Sequence, residues 1–346
     1  MSALSLVASS LLAAFRLAAL LLFAAPGFTA EPDNARTGLL EGLVSRAQVA
    51  GPRGTFVTEL ISRADGTARF VQIYPPADPK GRGRVEIVVA NGKAFRRNEK
   101  GQFVPAPPGM SSFVLGHDAV RLTLAKVSRP TTISQPAPAE MGGGVVTLEL
   151  ADYRQVIGFE FPFSATFVHS AAPDDRYVYR YTELLPFRIA PGSPSPDSAT
   201  NPAALFERLG ELAELAAAHE RVMAAHRASD AGLLTADAAE RSTISGRGRL
   251  SEVTRDEQAA RMRGYLGEIR FSRYQDTAVP VIALSEDGTL AWLACEMTAE
   301  GVRTVEGRSE PIVYGFSWTE LYARGAVDAQ GRRPWRAIGN SSSQRQ

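Results

Sequence analysis

The chain has 346 residues, and its 38 basic and 37 acidic side chains leave a formal net charge of +1. A hydrophobic fraction of 45% and a charged fraction of 22% are those of an ordinary globular protein, and the length favours two domains. The near balance of charge gives no electrostatic basis for a nucleic-acid or anionic-membrane partner. The single cysteine, Cys295, excludes an internal disulfide and a cysteine-based metal cluster.

Residues 1–30 are predicted to be a secretory signal peptide rather than part of the fold. Residues 17–25 form an apolar core of suitable length, Pro26 then breaks any helix, and Ala30 is a small residue at the expected cleavage point. The segment therefore predicts export to the periplasm or secretion. Retention as an uncleaved anchor stays open, because Arg16 is the only charge that interrupts the apolar stretch.

The pattern of residues 31–189 predicts a mostly β-stranded domain. Residues 35–49, at its start, have the spacing of one short helix, and residues 111–127 carry a helical apolar stripe. Turn signals separate the strand-like runs elsewhere. The strongest of them is Asn91-Gly92, which predicts a tight hairpin.

One predicted strand of this domain carries a row of aromatic rings. In the run GFEFPFSATFVH, one parity is occupied by Phe159, Phe161, Phe163 and Phe167. Alternate residues of a strand point to the same face, so these rings share a face that needs a cover of protein or lipid. We interpret the row as a candidate lipid groove.

A segment rich in proline and serine divides the chain. Residues 190–202 contain four prolines, which cannot hold a helix or a central strand, so they predict an interdomain linker. Residues 203–346 then predict an α+β domain that opens with a long helix over residues 203–227. Thr254 and Glu257 have the spacing of a capping box and predict a second helix to about Leu266. The predicted strands that follow are 270–283 with a break at Pro280, 290–299, 311–324 and 334–339.

The C-terminal half resembles the NTF2-like superfamily, specifically its SnoaL-like group, which includes ketosteroid isomerases and polyketide cyclases. The matching stretches are HERVMAAHRASDAGLL, the helix from Thr254, FSRYQDTAVPVIALSEDGTLAWLACEM, FSWTELYAR and RRPWRAIGNSSS. The resemblance implies a curved sheet wrapped around the first long helix, with a cone-shaped cavity open at one end. It implies no single activity, because the superfamily hosts many functions.

The N-terminal half resembles the half-barrel of the LolA/LolB-like periplasmic lipoprotein carriers. The matching stretches are the hairpins over residues 55–97, VTLELADYRQVIGFEFPFSATF and RYVYRYTELLPFRI. This resemblance implies strands curled around an apolar groove that holds acyl chains. Together the two resemblances predict an α+β protein in which the linker joins a half-barrel-like β domain to an NTF2-like cone.

Glu320 is the first candidate for catalysis. In the run GFSWTELYAR it shares one strand parity with Phe316, Trp318 and Tyr322. If this face lines a cavity, the rings disfavour the charged carboxylate and prepare Glu320 to act as a general base near neutral pH. If the face meets solvent or a partner instead, Glu320 pairs with an arginine such as Arg324 or Arg336.

His226 and Asp230 are the second candidates, four residues apart at the end of the first long helix. That spacing places two side chains on one helix face, where they can form a proton-transferring pair. The alternative that stays open is a histidine favoured by the helix dipole beside an acid that starts the turn. His219 lies on the apolar stripe and is interpreted as a core histidine. Two helical turns, about 10.5 Å, separate His219 from His226, so no metal site is predicted. No cofactor is predicted either, because the sequence has no glycine-rich phosphate loop.

The sequence favours a binding protein over an enzyme. It predicts an exported protein that holds a small apolar molecule or a lipid, and it leaves open an isomerase, cyclase or hydratase that uses Glu320 or the pair His226/Asp230. A homodimer formed through the NTF2-like sheet is a further hypothesis. The candidate pocket residues, for which core packing is an equal explanation, are Trp292, Phe316, Trp318, Tyr322 and Trp335.

Overall fold

A computed structural model describes residues 40–52, 54–76, 83–111, 114, 131–137, 143–193, 201–246, 249–329 and 331–344. The predicted signal peptide, most of the predicted helix over residues 111–127 and most of the predicted linker lie outside the described residues. The described residues are mostly β-strand, and they all belong to one compact unit. None of their helices combines the length and apolar character needed to span a membrane.

The N-terminal sheet is antiparallel throughout and runs in the order β6-β5-β4-β3-β2-β1-β10-β9-β8-β7. The chain therefore runs outward from β1 to one edge and returns from the other edge to β10. Its strands are β1 (Gly42–Gly51), β2 (Gly54–Arg63), β3 (Ala68–Ile73), β4 (Arg84–Ala90), β5 (Lys93–Arg97), β6 (Phe103–Pro105), β7 (Thr132–Pro136), β8 (Val145–Val156), β9 (Phe159–His169) and β10 (Ala172–Ile189).

Strand β1 corrects the helix predicted over residues 35–49. It lies between β2 and β10, and Leu43 and Val44 are buried on its opposite faces. Pairing with two strands that are distant in sequence outweighs the local helical spacing. The hairpin predicted at Asn91-Gly92 is confirmed between β4 and β5, where both residues have positive φ, as a type I′ turn requires.

The C-terminal sheet runs in the order β12-β11-β17-β16-β15, and β13 and β14 lie one after the other along the free edge of β15. The break predicted at Pro280 separates β13 from β14. The strands β11 and β12 were not predicted. The strands are β11 (Ala238–Gly246), β12 (Arg249–Thr254), β13 (Ile269–Asp276), β14 (Val281–Leu284), β15 (Leu290–Val305), β16 (Arg308–Arg324) and β17 (Trp335–Gln344).

Three helices belong to the described part of this half: α1 (Pro202–Ala228), α2 (Ala231–Leu234) and α3 (Arg255–Glu268). Helix α1 begins where the Asn201 side chain accepts hydrogen bonds from two backbone N–H groups, with Pro202 in the first turn. It ends at Ser229, which adopts the left-handed conformation. The capping box of Thr254 and Glu257 is confirmed at the start of α3.

The two sheets share a core across the predicted domain boundary. Strand β10 pairs in parallel with β14, so backbone hydrogen bonds join the N-terminal and C-terminal sheets. Phe206 and Leu209 of α1 belong to one apolar cluster with Val88 of β4 and Leu293 of β15. A tethered pair of domains would have separate cores, whereas the described residues on both sides pack on α1. The division of the chain at residues 190–202 stays a prediction.

Truncating Leu209 to alanine is expected to destabilise both sheets together. Leu209 is fully buried between them, and removing such a side chain costs about 2–5 kcal/mol. The urea midpoint measured by tryptophan fluorescence, which reports on the C-terminal half, should move to a lower concentration. The amides of β4, which report on the N-terminal sheet, should lose protection from hydrogen exchange at the same urea concentrations. The exposed Leu250 offers the control, because Leu250→Ala should change stability by less than about 0.5 kcal/mol. Loss of protection confined to one sheet would contradict the shared core.

Candidate functional site

A buried histidine–carboxylate pair connects α1 to the C-terminal sheet. His219 Nε2 lies 2.9 Å from Asp276 Oδ2, and the two residues are only 5% and 8% exposed. His219 lies within the apolar surface of α1, and Asp276 is the last residue of β13. The hydrogen bond satisfies one polar atom of each side chain.

The pair favours a charged imidazole. Burial by itself lowers the pKa of His219, but the carboxylate of Asp276, its hydrogen bond and the charges of Glu320 and Glu220 together outweigh burial, so the pKa of His219 lies above its usual value. His219 Nδ1 and Asp276 Oδ1 are also buried and have no hydrogen-bond partner among the described residues. Polar atoms left in this state are costly, and they mark places where a ligand group would be stabilised.

His219 and Asp276 line a cavity of about 620 Å³. One wall is formed by α1 and by residues 272–276 of β13, and Pro280, Ile282 and Leu293 extend it. The N-terminal half of the chain supplies residues 155–158, which are the end of β8 and the turn before β9, and residues 184–187 of β10. The cavity is therefore a composite of both sheets and the helix between them.

The lining combines an apolar body with a few polar groups. Leu184, Leu185, Phe187, Met223 and Leu293 contribute hydrocarbon, as is usual for sites that hold small organic molecules. The charged side chains beside the histidine–aspartate pair are mostly neutralised. Among the lining residues, Arg227 pairs with Glu220, and Arg273 lies 2.9 Å from Glu300.

Glu320 is buried but does not line this cavity. It is 8% exposed, and the Tyr322 hydroxyl donates a hydrogen bond of 2.5 Å to Glu320 Oε2. Burial raises the pKa of Glu320, although Tyr322 and His219 partly oppose the shift. The alternative of an ion pair with Arg324 does not occur. Arg324 contacts Glu211 at 2.8 Å and covers the ring of Trp335 instead.

His226 and Asp230 do not form the predicted pair. Helix α1 ends at Ala228, so Asp230 leaves the helical face and accepts a hydrogen bond from the Leu233 N–H at the start of α2. His226 Nδ1–H donates to the Val222 carbonyl, and its ring stacks on Tyr274 with 4.2 Å between centroids. Burial lowers the pKa of His226 to about 4, which keeps the ring neutral.

The five candidate pocket residues lie apart from the cavity. Trp318, Tyr322 and Trp335 are buried in the cluster that packs around α1, and Phe316 packs against it half-buried. Trp292 lies on the other face of the C-terminal sheet, because β15 buries the alternate residues Ala291, Leu293 and Cys295. Four of the five predicted pocket residues therefore pack in the core with α1, and none of the five lines the cavity.

The phenylalanines of β9 are placed in a second apolar cluster. Phe159, Phe161 and Phe167 are buried there together with residues of β8 and β10. Phe163 is half-buried, and the Arg154 guanidinium lies 4.4 Å from the centre of its ring. The rings pack mainly against neighbouring protein side chains, and contact with a lipid stays a prediction.

One group of side chains near the cavity has the composition of a metal site. Ligand atoms of His219, Asp276 and Cys295 lie within 4.8 Å of one another. Burial raises the pKa of the Cys295 thiol, which disfavours the thiolate that binds a metal. A metal-binding histidine also usually donates its second ring nitrogen to an acceptor, and His219 Nδ1 has none among the described residues. The chemistry of this group fits a hydrogen-bonded pair better than a metal centre.

The sequence reasoning missed Asp276. One signal was present, because Tyr274 and Asp276 share a parity in the run RYQD, so an acid falls on the same face as a buried ring. The contribution of residues 155–158 had no comparable signal, since their place beside α1 follows from the pairing of β10 with β14.

Solved structures similar to part of the chain are NTF2-like and ketosteroid isomerase-like proteins. A ketosteroid isomerase-like protein from Erwinia carotovora is 17% identical, with a TM-score of 0.32, over 39% of this chain and 97% of its own. An NTF2-like protein of unknown function in nutrient uptake from Rhodospirillum rubrum is 19% identical, with a TM-score of 0.31, over 38% and 98%. An NTF2-like protein from Cytophaga hutchinsonii is 14% identical, with a TM-score of 0.30, over 38% and 95%.

Similarities of this size carry no argument about function. A scan against protein-family models finds no matching model. A search of curated proteins finds no significant match.

Replacing His226 by phenylalanine is expected to reduce the acid sensitivity of the fold. The lowered pKa means that the folded state disfavours the imidazolium, so the contribution of the neutral His226 to stability is full above pH 6.5 and is lost as the pH falls toward about 4. The loss amounts to roughly 3 kcal/mol over that range. Phenylalanine keeps the stack on Tyr274 and cannot titrate. Urea unfolding of wild type and His226→Phe at intervals across this pH range would test the prediction. Parallel profiles of stability against pH for the two proteins would contradict the lowered pKa of His226.

Replacing Glu320 by glutamine is expected to stabilise the fold progressively as the pH rises. A carboxyl with a raised folded-state pKa contributes stability below its ordinary value of 4.5, and this contribution is lost as the pH increases through the folded-state pKa. Glutamine can still accept the Tyr322 hydrogen bond and has no proton to lose. The difference in unfolding free energy between Glu320→Gln and wild type should grow from pH 4.5 to pH 8. A constant difference would contradict the raised pKa of Glu320.

Proposed function

We propose that the chain binds a small, largely apolar organic molecule in the cavity, and that the His219–Asp276 pair transfers a proton on it. The observation that carries the proposal is a buried histidine–carboxylate pair in the wall of a cavity of about 620 Å³. Perturbed titratable groups that line a cleft are typical of functional sites. The cavity volume suits a drug-sized molecule.

In this pair His219 donates the proton, and Asp276 positions the imidazole ring. Asp276 holds Nε2 of the imidazole and favours the protonated ring, so Nδ1 is the nitrogen left for a ligand. His219 then acts as general acid toward a ligand oxygen, and its neutral form accepts a proton from an acidic carbon. Nδ1 is shielded in the described structure, so this role requires the imidazole ring to move when a ligand binds. Isomerisation, hydration and dehydration are reactions that need only these proton movements.

Binding of a lipid by the N-terminal sheet stays a proposal that is supported by the sequence alone. The carrier-like resemblance, the export signal and the phenylalanine row favour it, while the pair in the cavity favours the proton-transferring site. A homodimer through the C-terminal sheet also stays a proposal. Exposed Leu290, Val313 and Leu321 lie on the outer face of that sheet and support it.

A general proton-abstraction reaction offers a test that needs no knowledge of the natural substrate. The ring opening of 5-nitrobenzisoxazole is accelerated by a base in an apolar site, so wild-type protein should catalyse it with a rate that rises with pH. The midpoint of this pH–rate profile should lie above pH 6.5, because the pKa of His219 is raised above that value. His219→Gln should lower kcat/KM by at least about tenfold. Asp276→Asn should move the midpoint to lower pH, because it removes the group that raises the pKa of His219.

The neutral His226 provides the matched control for that experiment. His226 is a histidine on the same helix as His219, but it does not line the cavity. His226→Gln should therefore leave the rate and the pH midpoint unchanged. An unaffected rate in His219→Gln would overturn the proton-transfer role, and fluorescence titration with N-phenyl-1-naphthylamine would then show whether binding alone remains.

A further inference from the structure

The turn between β8 and β9 has a strained residue at its tip. Ile157 has a φ of 51° and Gly158 has a φ of 78°, so both central residues adopt the left-handed conformation of a type I′ turn. Glycine and asparagine tolerate that conformation. A β-branched side chain rarely does, because its branch clashes with the backbone.

The same chain uses more tolerant residues or exposed positions in comparable turns. Asn91-Gly92 has φ values of 49° and 73°, and Glu306-Gly307 has φ values of 50° and 77°. The side chains of Asn91 and Glu306 are exposed. Ile157 is half-buried, packs against the second apolar cluster and lines the cavity of His219 and Asp276. Strain that persists beside a cavity is an indication of function at that position.

The position of the turn explains what its side chain can do. Val156 and Ile157 come from the N-terminal sheet, whereas His219 and Asp276 come from the helix and the C-terminal sheet. A ligand that places its polar group at the histidine therefore has its hydrocarbon part within reach of the apolar lining to which Ile157 belongs. A branched aliphatic side chain suits an uncharged ring or an alkyl group.

We propose that Ile157 is a specificity-determining residue that contacts the uncharged, apolar body of the ligand, and that the strained turn is retained for this contact. The inference rests on the proposed function of the cavity. It assigns the N-terminal sheet a part in ligand selection, and it makes the site incomplete without that sheet.

Two substitutions, each of which relieves the strain of a left-handed turn residue, distinguish a role of Ile157 in ligand selection from a role in packing. Ile157→Asn suits the turn but removes the apolar contact, and Glu306→Asn relieves an equivalent turn outside the residues that line the cavity. Both variants should unfold at a urea concentration no lower than wild type. Ile157→Asn should weaken N-phenyl-1-naphthylamine binding and raise the KM for 5-nitrobenzisoxazole about tenfold, with kcat retained. Glu306→Asn should change neither value.

The outcomes distinguish this inference from the proposed function. Probe affinity within twofold of wild type in Ile157→Asn, while His219→Gln still lowers kcat, would overturn the role of Ile157 alone. A fall in stability as large as that of a core truncation would identify Ile157 as a packing residue and overturn it as well. Wild-type protein that neither binds N-phenyl-1-naphthylamine nor opens 5-nitrobenzisoxazole would overturn the proposed function, and the inference with it.

Discussion

The described structure depends on the burial of α1 from two sides. A helix that is apolar around much of its circumference needs more than one covering surface, and neither sheet alone provides it. Phe206 and Leu209 share a cluster with Val88 of the N-terminal sheet, and the same cluster contains Leu293 and Trp318 of the C-terminal sheet. The parallel pairing of β10 with β14 fixes the junction of the two sheets beside this helix. The fold is thus organised around a shared helix rather than around two separate cores.

The same burial produces the chemistry of the site. His219 and His226 lie seven residues apart on α1 and are both removed from water, yet their pKa values move in opposite directions. Burial dominates at His226, which packs among rings and meets only a backbone carbonyl. At His219 the carboxylate of Asp276 outweighs burial, because charge interactions strengthen where water is excluded. Nearby carboxylates, Asp276 above all, therefore account for the opposite pKa shifts of the two histidines.

Local signals in the sequence predicted much of the fold. The capping box at Thr254, the hairpin at Asn91-Gly92 and the break at Pro280 are each determined by neighbouring residues, and each occurs as expected. The failures are non-local. Strand β1 has helical spacing but is held by β2 and β10, and the acid that pairs with a histidine of α1 lies 57 residues away rather than four. Spacing along a helix identifies neighbours on that helix and cannot identify a strand that packs across it. Strand parity correctly grouped Trp318, Glu320 and Tyr322 on a buried face, but it could not show that α1 fills the space in front of them.

The location of the cavity follows from the way these elements meet. Regular rows of side chains on a helix and a sheet interdigitate closely, and Trp318, Tyr322 and Trp335 pack with α1 in one apolar cluster in this way. Space remains where the turn of residues 155–158 and the end of β10 meet α1 and β13, because a turn and a strand end present no regular row. The His219–Asp276 pair comes from the C-terminal half, whereas the apolar lining comes from both halves of the chain. A site formed by the C-terminal half alone would give the strained, left-handed Ile157 no role, whereas a site to which the N-terminal sheet contributes gives it one.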